Sequence, residues 1–169
     1  MTGHPLELQQ LANDALSGDG GALRAFHAAV GAVFGGGDQL GTHLGIDVVE
    51  VTSERVVMRM PWRPELQRGG SIFHGGAIMA LADHVAGCLF SADPRVVAAG
   101  HTGLTTDFHA AFLRAAAPGE GLVAEGSVMR RGRNVTFMQI DVRTAAGPLV
   151  AACRTTYVTV AARRVGSAK

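Results

Sequence analysis

The sequence predicts an α+β domain in which an antiparallel β-sheet wraps around one central α-helix, with an extra N-terminal helical region. The stretch from Gly75 to Phe90 is apolar almost all round, which is typical of a helix buried on several sides. β-branched and alternating segments lie on both sides of this stretch, and short turns join the last of them, which favours antiparallel neighbours. Because helical and strand segments are segregated along the chain, the pattern favours α+β over α/β.

Two helices are predicted ahead of the sheet, as an N-terminal helical extension over residues 1–37. Pro5 to Leu16 carries leucines and alanines at helical spacing, and Ala22 to Phe34 resumes that spacing after a glycine-rich break. The run Gly35-Gly36-Gly37 is expected to end the second helix. The main domain is then expected over residues 38–162, and a polar, flexible tail over residues 163–169.

Strands are predicted on both sides of the central helix. Gly45 to Met60 is expected to form either two strands divided by a turn near residues 53–55 or one bent strand, and a glycine-rich loop follows over residues 66–73. The other four come after the helix, over Gly103–Arg114, Leu122–Arg131, Val135–Thr144 and Leu149–Val160. In the first of these four, strict alternation places Thr106 and Phe108 on one face and Thr105 and Asp107 on the other.

Composition and charge exclude several classes of protein. A chain of 169 residues with 47% hydrophobic residues fits one globular domain. Its 15 Lys and Arg against 14 Asp and Glu give a net charge of +1, so we expect no nucleic-acid partner. Cys88 and Cys153 form neither a disulfide framework nor a metal-like spacing.

The sequence also bears on location. Met1 to Leu11 lacks a charged start followed by an apolar run, so no signal peptide is expected. The most apolar stretch is interrupted by Asp83 and His84, so no membrane insertion is expected. These features predict a cytoplasmic protein.

The start of the central helix is a candidate site. His74-Gly75-Gly76 leads directly into it, and a helix start carries unpaired backbone N–H groups and a partial positive charge. Glycine lets the oxygen of a ligand approach the backbone closely. The amide of Gly75 or Gly76 can therefore polarise a carbonyl and hold the negative charge that develops on it.

Asp83 is the only carboxylate in this apolar helix, and burying an ionised group without a partner is costly. At about 100° per residue, it shares a face with mostly small residues, which leaves space beside the carboxylate. These neighbours are Gly76, Met79, Ala80, Ala86 and Gly87. Two explanations stay open: the carboxylate acts on a ligand, or it is structural and caps a loop or pairs with an Arg or His.

The spacing of Gly75 and Asp83 indicates more than one chain. Eight residues correspond to roughly 12 Å along a helix at about 1.5 Å per residue, so one carbonyl cannot easily touch both. If both groups act on one carbonyl, they must come from different copies of the helix. A dimer with two antiparallel central helices would have two such sites.

Several short motifs occur together between about Gly41 and Tyr157. They are Leu44-Gly45, His74-Gly75-Gly76 with Leu81-Ala82-Asp83, Thr105-Thr106-Asp107 with Phe112-Leu113-Arg114, Pro118-Gly119, Arg131-Gly132-Arg133 and Leu149-Val150-Ala151. With these motifs the chain resembles the hotdog-fold acyl-CoA thioesterases, particularly the group that includes the phenylacetate-degradation thioesterases. The resemblance implies a hotdog fold, a homodimer or homotetramer with sites at the subunit interface, and hydrolysis of an acyl-CoA to a carboxylic acid and free CoA.

The resemblance also implies roles for individual residues. The backbone N–H of Gly75, with Gly76 beside it, would polarise the thioester carbonyl. Asp83 of the opposite subunit would act as nucleophile or as general base for water. Thr105 falls where relatives often place a Ser or Thr near the carboxylate, and His74 would shape the loop and orient the substrate.

The resemblance extends to the rest of the substrate. Arg131 and Arg133, around the Gly132 hairpin, are plausible contacts for the CoA phosphates, or else a solvated hairpin tip. No redox cofactor or metal is implied, and coenzyme A enters only as part of the substrate. The histidines His74, His84, His101 and His109 match no metal-ligand spacing.

One position departs from the family pattern. Six residues before His74, relatives usually carry Asn or Gln, whereas here the residue is Arg68, with Gln67 next to it. Either Gln67 substitutes through a one-residue shift, or Arg68 supplies a charge to the site. Arg68 can also pair with Asp83 and suppress its activity.

Two other functions stay open. The same fold can hold an acyl-CoA without cleaving it, as a sensor or interaction module, and Arg68 is the feature that favours this. A hotdog dehydratase acting on a hydroxyacyl thioester would need a His base paired with an acid. His74 and Asp83 are the candidates for that pair, although the motif order fits the thioesterases better.

Overall fold

The computed structural model describes residues 5–37, 39–117 and 119–162, in which one sheet packs against one long helix. The helices are α1 (Pro5–Ala15), α2 (Gly20–Ala32), α3 (Gln39–Leu44), α4 (Gly75–Ser91) and α5 (Pro94–Ala98). The strands are β1 (Asp47–Val51), β2 (Arg55–Met60), β3 (Gln67–Arg68), β4 (Ile72–Phe73), β5 (His101–Phe112), β6 (Leu122–Arg131), β7 (Val135–Thr144) and β8 (Leu149–Ala161). The predicted tail over 163–169 lies outside the described residues.

The main sheet is antiparallel throughout and has the strand order β1-β2-β6-β7-β8-β5. The short strands β3 and β4 form a separate ribbon just before α4. β1 and β5 are therefore the two edges of the sheet, and β5 joins it through β8 alone. Of the two alternatives for Gly45 to Met60, the structure has two separate strands, the four later strands are confirmed, and the ribbon is an addition within the expected loop.

Helix α4 packs against β2, β6, β7, β8 and β5, as expected for a helix that a sheet wraps. Its apolar side chains explain this position, since Leu81, Val85 and Leu89 are fully buried in the core. The helix ends at Ser91, and Asp93 and Pro94 begin α5, which the sequence analysis did not predict. The sequence did contain a helix-start signal, since Asp is a favoured N-cap and Pro suits a first helical turn. In the structure the Arg95 amide donates to the Asp93 carboxylate at 3.0 Å.

The N-terminal helices α1 and α2 confirm the two predicted helices. α2 packs against β1, and its Phe26 and Val30 belong to the same core cluster as the sheet. The glycine run behaves differently from the expectation, because Val33–Gly37 forms a π-helical turn and the chain continues into α3. A Cβ on Gly35 would lie 3.4 Å from Val48 Cγ2, so the small residue lets this turn pass close over β1.

The predicted strict alternation of β5 is wrong at Thr106. Thr105 pairs with Tyr157, but Asp107 pairs with Thr156, so β5 carries one extra residue opposite β8. The hydroxyl of Thr106 donates to the Thr156 carbonyl at 3.1 Å. This β-bulge shifts the register, and it lets Thr105 face α4 on the same side as the later apolar residues of the strand.

Candidate active site

The start of α4 presents one free backbone donor. His74 caps the helix, and its Nδ1 accepts a 2.9 Å hydrogen bond from the Gly76 amide. That bond occupies Gly76, whereas the Gly75 amide donates to no other group within the described residues. Of the two glycine amides, Gly75 is therefore the one available to a ligand, and His74 is the residue that shapes this end of the helix.

A side chain from β5 restricts the space at Gly75. A Cβ placed there would lie 3.3 Å from Cζ of Phe112, a ring that is otherwise half exposed. Any residue larger than glycine would therefore push against the Phe112 ring. The glycine keeps the amide open and close to the apolar ring at the same time.

Asp83 lies two turns further along α4 and is exposed in the single chain. The expectation that this carboxylate is buried in an apolar helix is therefore wrong for one chain, because Met79 and Asp83, one turn apart on α4, are both exposed. Two hydroxyls converge on one of its oxygens. The Thr105 Oγ1 donates to Oδ1 at 3.1 Å, and the Tyr157 OH also lies 3.1 Å from Oδ1.

Tyr157 is the residue of this site that the sequence analysis missed. It lies on β8 opposite Thr105 and is 5% exposed. Burial raises the pKa of its phenol well above the ordinary value; a hydrogen bond with Thr105 opposes the rise in part, and the neighbouring Asp83 adds to it. The only sequence signal was a single tyrosine at an inward-facing strand position. Its place beside Asp83 can be recognised only once β8 is known to pair with β5.

Gln67 and Arg68 lie in β3, paired with Phe73 and Ile72 of β4 and exposed. The ribbon is tied to the helix start, because the His74 amide donates to the Leu66 carbonyl at 2.8 Å. Within the described residues, Arg68 forms no ion pair with Asp83. Both side chains thus stay available near the helix start, and their roles in substrate binding remain predictions.

Arg131 and Arg133 differ in their surroundings. Arg131 is 13% exposed, with Nε 3.3 Å from the buried Asp93 carboxylate, and it also donates to the Ser53 carbonyl. Burial by itself raises the pKa of Asp93, but hydrogen bonds from Arg95 and the charge of Arg131 outweigh it and lower that pKa. Arg133 is exposed. Arg131 is thus held by Asp93, and of the two it is Arg133 whose guanidinium faces solvent.

The two arginines nevertheless line one small basic cavity at the hairpin tip. Its volume is about 260 Å³, and its charged lining consists of Asp93, Arg95, His101, Arg131 and Arg133. The predicted contacts with CoA phosphates therefore stay predictions. Within the described ranges, no cluster of three or more His, Cys, Asp or Glu side chains is arranged to hold a metal ion. No helix there is long and apolar enough to cross a membrane.

Solved structures share this architecture. Thioesterase HI1161 of Haemophilus influenzae superposes with a TM-score of 0.68 at 25% identity, covering 77% of this chain and 88% of its own. The E. coli PaaI protein of the phenylacetic acid degradation operon gives 0.66 at 22% identity, over 73% and 85%. A hypothetical thioesterase of Streptococcus pneumoniae, solved with coenzyme A, gives 0.61 at 20% identity, over 69% and 86%. The hotdog fold is thereby confirmed.

Sequence comparison leads to the same family. The sequence model of the thioesterase superfamily matches residues 70–151, which include the helix start, Asp83 and Thr105. A Deinococcus radiodurans protein that carries a provisional esterase name is 35% identical over 120 residues, 69% of this chain and 71% of that protein. Together with the shared fold, these matches show that the chain belongs to the thioesterase superfamily.

Proposed function

We propose that this protein hydrolyses an acyl-CoA thioester to a carboxylic acid and free CoA, with Asp83 as the reacting carboxylate. The proposal rests on the exposure and the hydrogen bonds of the Asp83 side chain. It is exposed, its Oδ1 accepts hydrogen bonds from two hydroxyls, and its Oδ2 has no hydrogen-bond partner within the described residues. An oriented carboxylate with one free oxygen suits either a nucleophile or a general base.

The Gly75 amide supplies the second requirement of thioester hydrolysis. As the carbonyl carbon is attacked, negative charge develops on its oxygen, and a fixed backbone N–H at a helix start stabilises that charge. In the general-base route, Asp83 takes a proton from water as the C–O bond forms. In the nucleophilic route, an acyl anhydride on Asp83 forms first and water then cleaves it. In both, the C–S bond breaks and the CoA sulfur gains a proton.

Two copies of the chain are part of the proposal. Gly75 and Asp83 lie roughly 12 Å apart along α4, so the two groups that meet one carbonyl come from different subunits. The edge strand β5 supports this arrangement, because it is long, mostly exposed and unpaired on its outer side within the described residues. Exposed apolar side chains lie on it and beside it, namely Met79, Leu104, Phe112 and Leu113.

Coenzyme A is the proposed carrier of the acyl group. The exposed Arg133 and the basic cavity at the hairpin tip suit phosphate groups, since guanidinium groups bind phosphate through paired hydrogen bonds. A structural neighbour solved with coenzyme A supports this choice of carrier. The Gly76 amide donates to His74 Nδ1, so the lone pair of that nitrogen is occupied and is not free to act as the base that a dehydratase needs.

The test is thiol release from short-chain, long-chain and aromatic acyl-CoAs, with the native protein, Asp83→Asn and a matched control. Asp47→Asn serves as the control, because it removes an exposed carboxylate from β1 at the opposite edge of the sheet. We expect native hydrolysis of at least one acyl class, a loss of about a hundredfold or more in Asp83→Asn, and native rates in Asp47→Asn.

Failure to release thiol would change the assignment. If the native protein binds acyl-CoA by calorimetry but hydrolyses none of the panel, the protein is a non-catalytic acyl-CoA-binding module. Arg68 is then the position to examine, because it departs from the family pattern. If Asp83→Asn hydrolyses at the native rate, the reacting group lies elsewhere.

A further inference from the structure

Tyr157 and Thr105 reach the same oxygen of Asp83 from neighbouring strands. The two residues are directly opposite each other in the β5–β8 register, and their hydroxyls each lie 3.1 Å from Oδ1. The phenol oxygen also lies 3.4 Å from the Asp83 carbonyl. The shorter contact to the charged carboxylate is the stronger one, so the single phenol proton goes to Oδ1.

The Tyr157 ring is held firmly enough to act as a fixed donor. Its centroid lies 5.5 Å from that of Phe90, with 30° between the ring planes, and the side chain is 5% exposed. A Cβ on Gly103 would lie 2.8 Å from Tyr157 Cδ1, and one on Gly87 would lie 3.5 Å from the phenol oxygen. The ring thus occupies a slot that two glycines leave open, and it loses little freedom when it bonds Asp83.

The phenol remains a donor over the whole working range of pH. Burial raises the pKa of Tyr157 above its ordinary value near 10; a hydrogen bond with Thr105 opposes this in part, and the charge and hydrogen bond of Asp83 add to the rise. Its proton is therefore present at neutral pH. A hydroxyl that stays protonated and lies 3.1 Å from Oδ1 restricts the rotation of the carboxylate.

We propose that Tyr157 is a positioning residue for the Asp83 carboxylate: together with Thr105 it holds Oδ1, so that Oδ2 is presented to the substrate or water. This inference rests on the proposed function, in which Asp83 performs the reaction. Without Tyr157, the carboxylate would keep only the Thr105 donor and would rotate more freely. A misoriented carboxylate lowers the rate of the chemical step while leaving substrate binding largely unchanged.

The kinetic test is Tyr157→Phe, which keeps the ring against Phe90 and removes only the hydroxyl. We expect kcat for acyl-CoA hydrolysis to fall about tenfold or more, with KM within about twofold of native. Thr155→Val is the matched control. It removes a buried hydroxyl from the same strand, one that donates to the Asp107 carbonyl at 2.8 Å, and it should keep the native kcat.

A second measurement needs no activity. Tyr157 is the only tyrosine of the chain, so 13C labelling of tyrosine Cζ gives one NMR signal from this ring. At neutral pH we expect that signal to have a different chemical shift in Asp83→Asn than in the native protein, because the phenol hydrogen bond then goes to an amide instead of a carboxylate. Asp47→Asn, at the opposite edge of the sheet, should keep the native chemical shift.

The outcomes separate the two proposals. If Asp83→Asn loses hydrolysis but Tyr157→Phe keeps the native kcat, the positioning role is overturned and the proposed function stands. The role is also overturned if the tyrosine signal has the same chemical shift in native protein and Asp83→Asn. A native protein that releases no thiol from any acyl-CoA overturns the proposed function, and with it the positioning role.

Discussion

At the scale of single residues, close approach of α4 to the sheet depends on a missing side chain at Gly126. This glycine lies in the middle of β6, and a Cβ on it would be 2.6 Å from Val85 Cγ1 and 3.4 Å from Leu89 Cδ2. Both neighbours are fully buried in a packed core. The helix would therefore have to move away from the strand to accept even a methyl group.

We therefore expect Gly126→Ala to destabilise the protein by about 1–3 kcal/mol, the usual cost of overpacking a core. The free energy of unfolding from denaturant titration measures this. Gly69→Ala is the matched control, because no heavy atom lies within 4 Å of its added Cβ and the change should stay within about 0.5 kcal/mol. Equal stability of native protein and Gly126→Ala would contradict the close packing of α4 on β6.

Site residues differ in how far the sequence alone identifies them. Asp83 was predictable, because a carboxylate in an apolar helix is unusual whatever the rest of the chain does. The sequence offered two candidate amides, those of Gly75 and Gly76. Only the hydrogen bond from the Gly76 amide to His74 leaves Gly75 as the available donor. Tyr157 was not predictable, since it reaches the site through the pairing of two strand positions that are 52 residues apart in the chain.

At the scale of elements, α2 is fastened to the rest of the fold through His27. Its Nε2 lies 3.2 Å from the Ala92 carbonyl at the end of α4, and 3.1 Å from Ser53 Oγ between β1 and β2. Burial lowers the pKa of His27, and the hydrogen bond to Ala92 only partly opposes this. The imidazole is thus kept neutral in the folded chain and is protonated more readily when the chain unfolds.

This fixes the sign of a pH effect on stability. The stability that neutral His27 contributes is present above its ordinary pKa near 6.5 and is lost as the pH falls below that value. We expect the thermal midpoint to fall between pH 7 and pH 5, and to fall less in His27→Gln, which cannot titrate. His43→Gln, at an exposed histidine, should keep the native slope. Identical slopes in native protein and His27→Gln would disprove the role of His27.

At the scale of the whole molecule, the proposed site requires two chains, and this can be tested by complementation. Asp83→Asn removes the carboxylate, and Gly75→Pro removes the backbone donor; proline suits the first helical position, and the half-exposed Phe112 ring must move aside for it. Each variant alone should be inactive. After joint refolding, half of the dimers are mixed and each has one intact site, so about a quarter of native activity should return.

The same experiment can reject the arrangement. If Gly75 and Asp83 act within one chain, no mixed dimer contains an intact site and activity stays absent. Sedimentation velocity of the native protein provides the companion measurement, for which we expect a dimer or a larger assembly rather than a single chain.

The sequence by itself determined the local features of this protein. Apolar periodicity predicted α1, α2, α4, the four strands after α4 and a strand region before it, because helix and strand spacing are properties of neighbouring residues. The distance between the Gly75 amide and Asp83 could likewise be predicted, because both residues lie in one continuous helix that begins just after His74. The glycine run before α3 was predicted to end a helix. It forms a π-helical turn instead, which packs closely over β1.

Only the tertiary structure decided which distant segments meet. The pairing of β5 with β8, and the bulge at Thr106, bring Thr105 and Tyr157 to one oxygen of Asp83. The ion pair between Arg131 and Asp93 likewise joins a hairpin to the start of α5. Register between strands that are far apart in the chain depends on how every side chain packs around α4, and no local pattern contains that information.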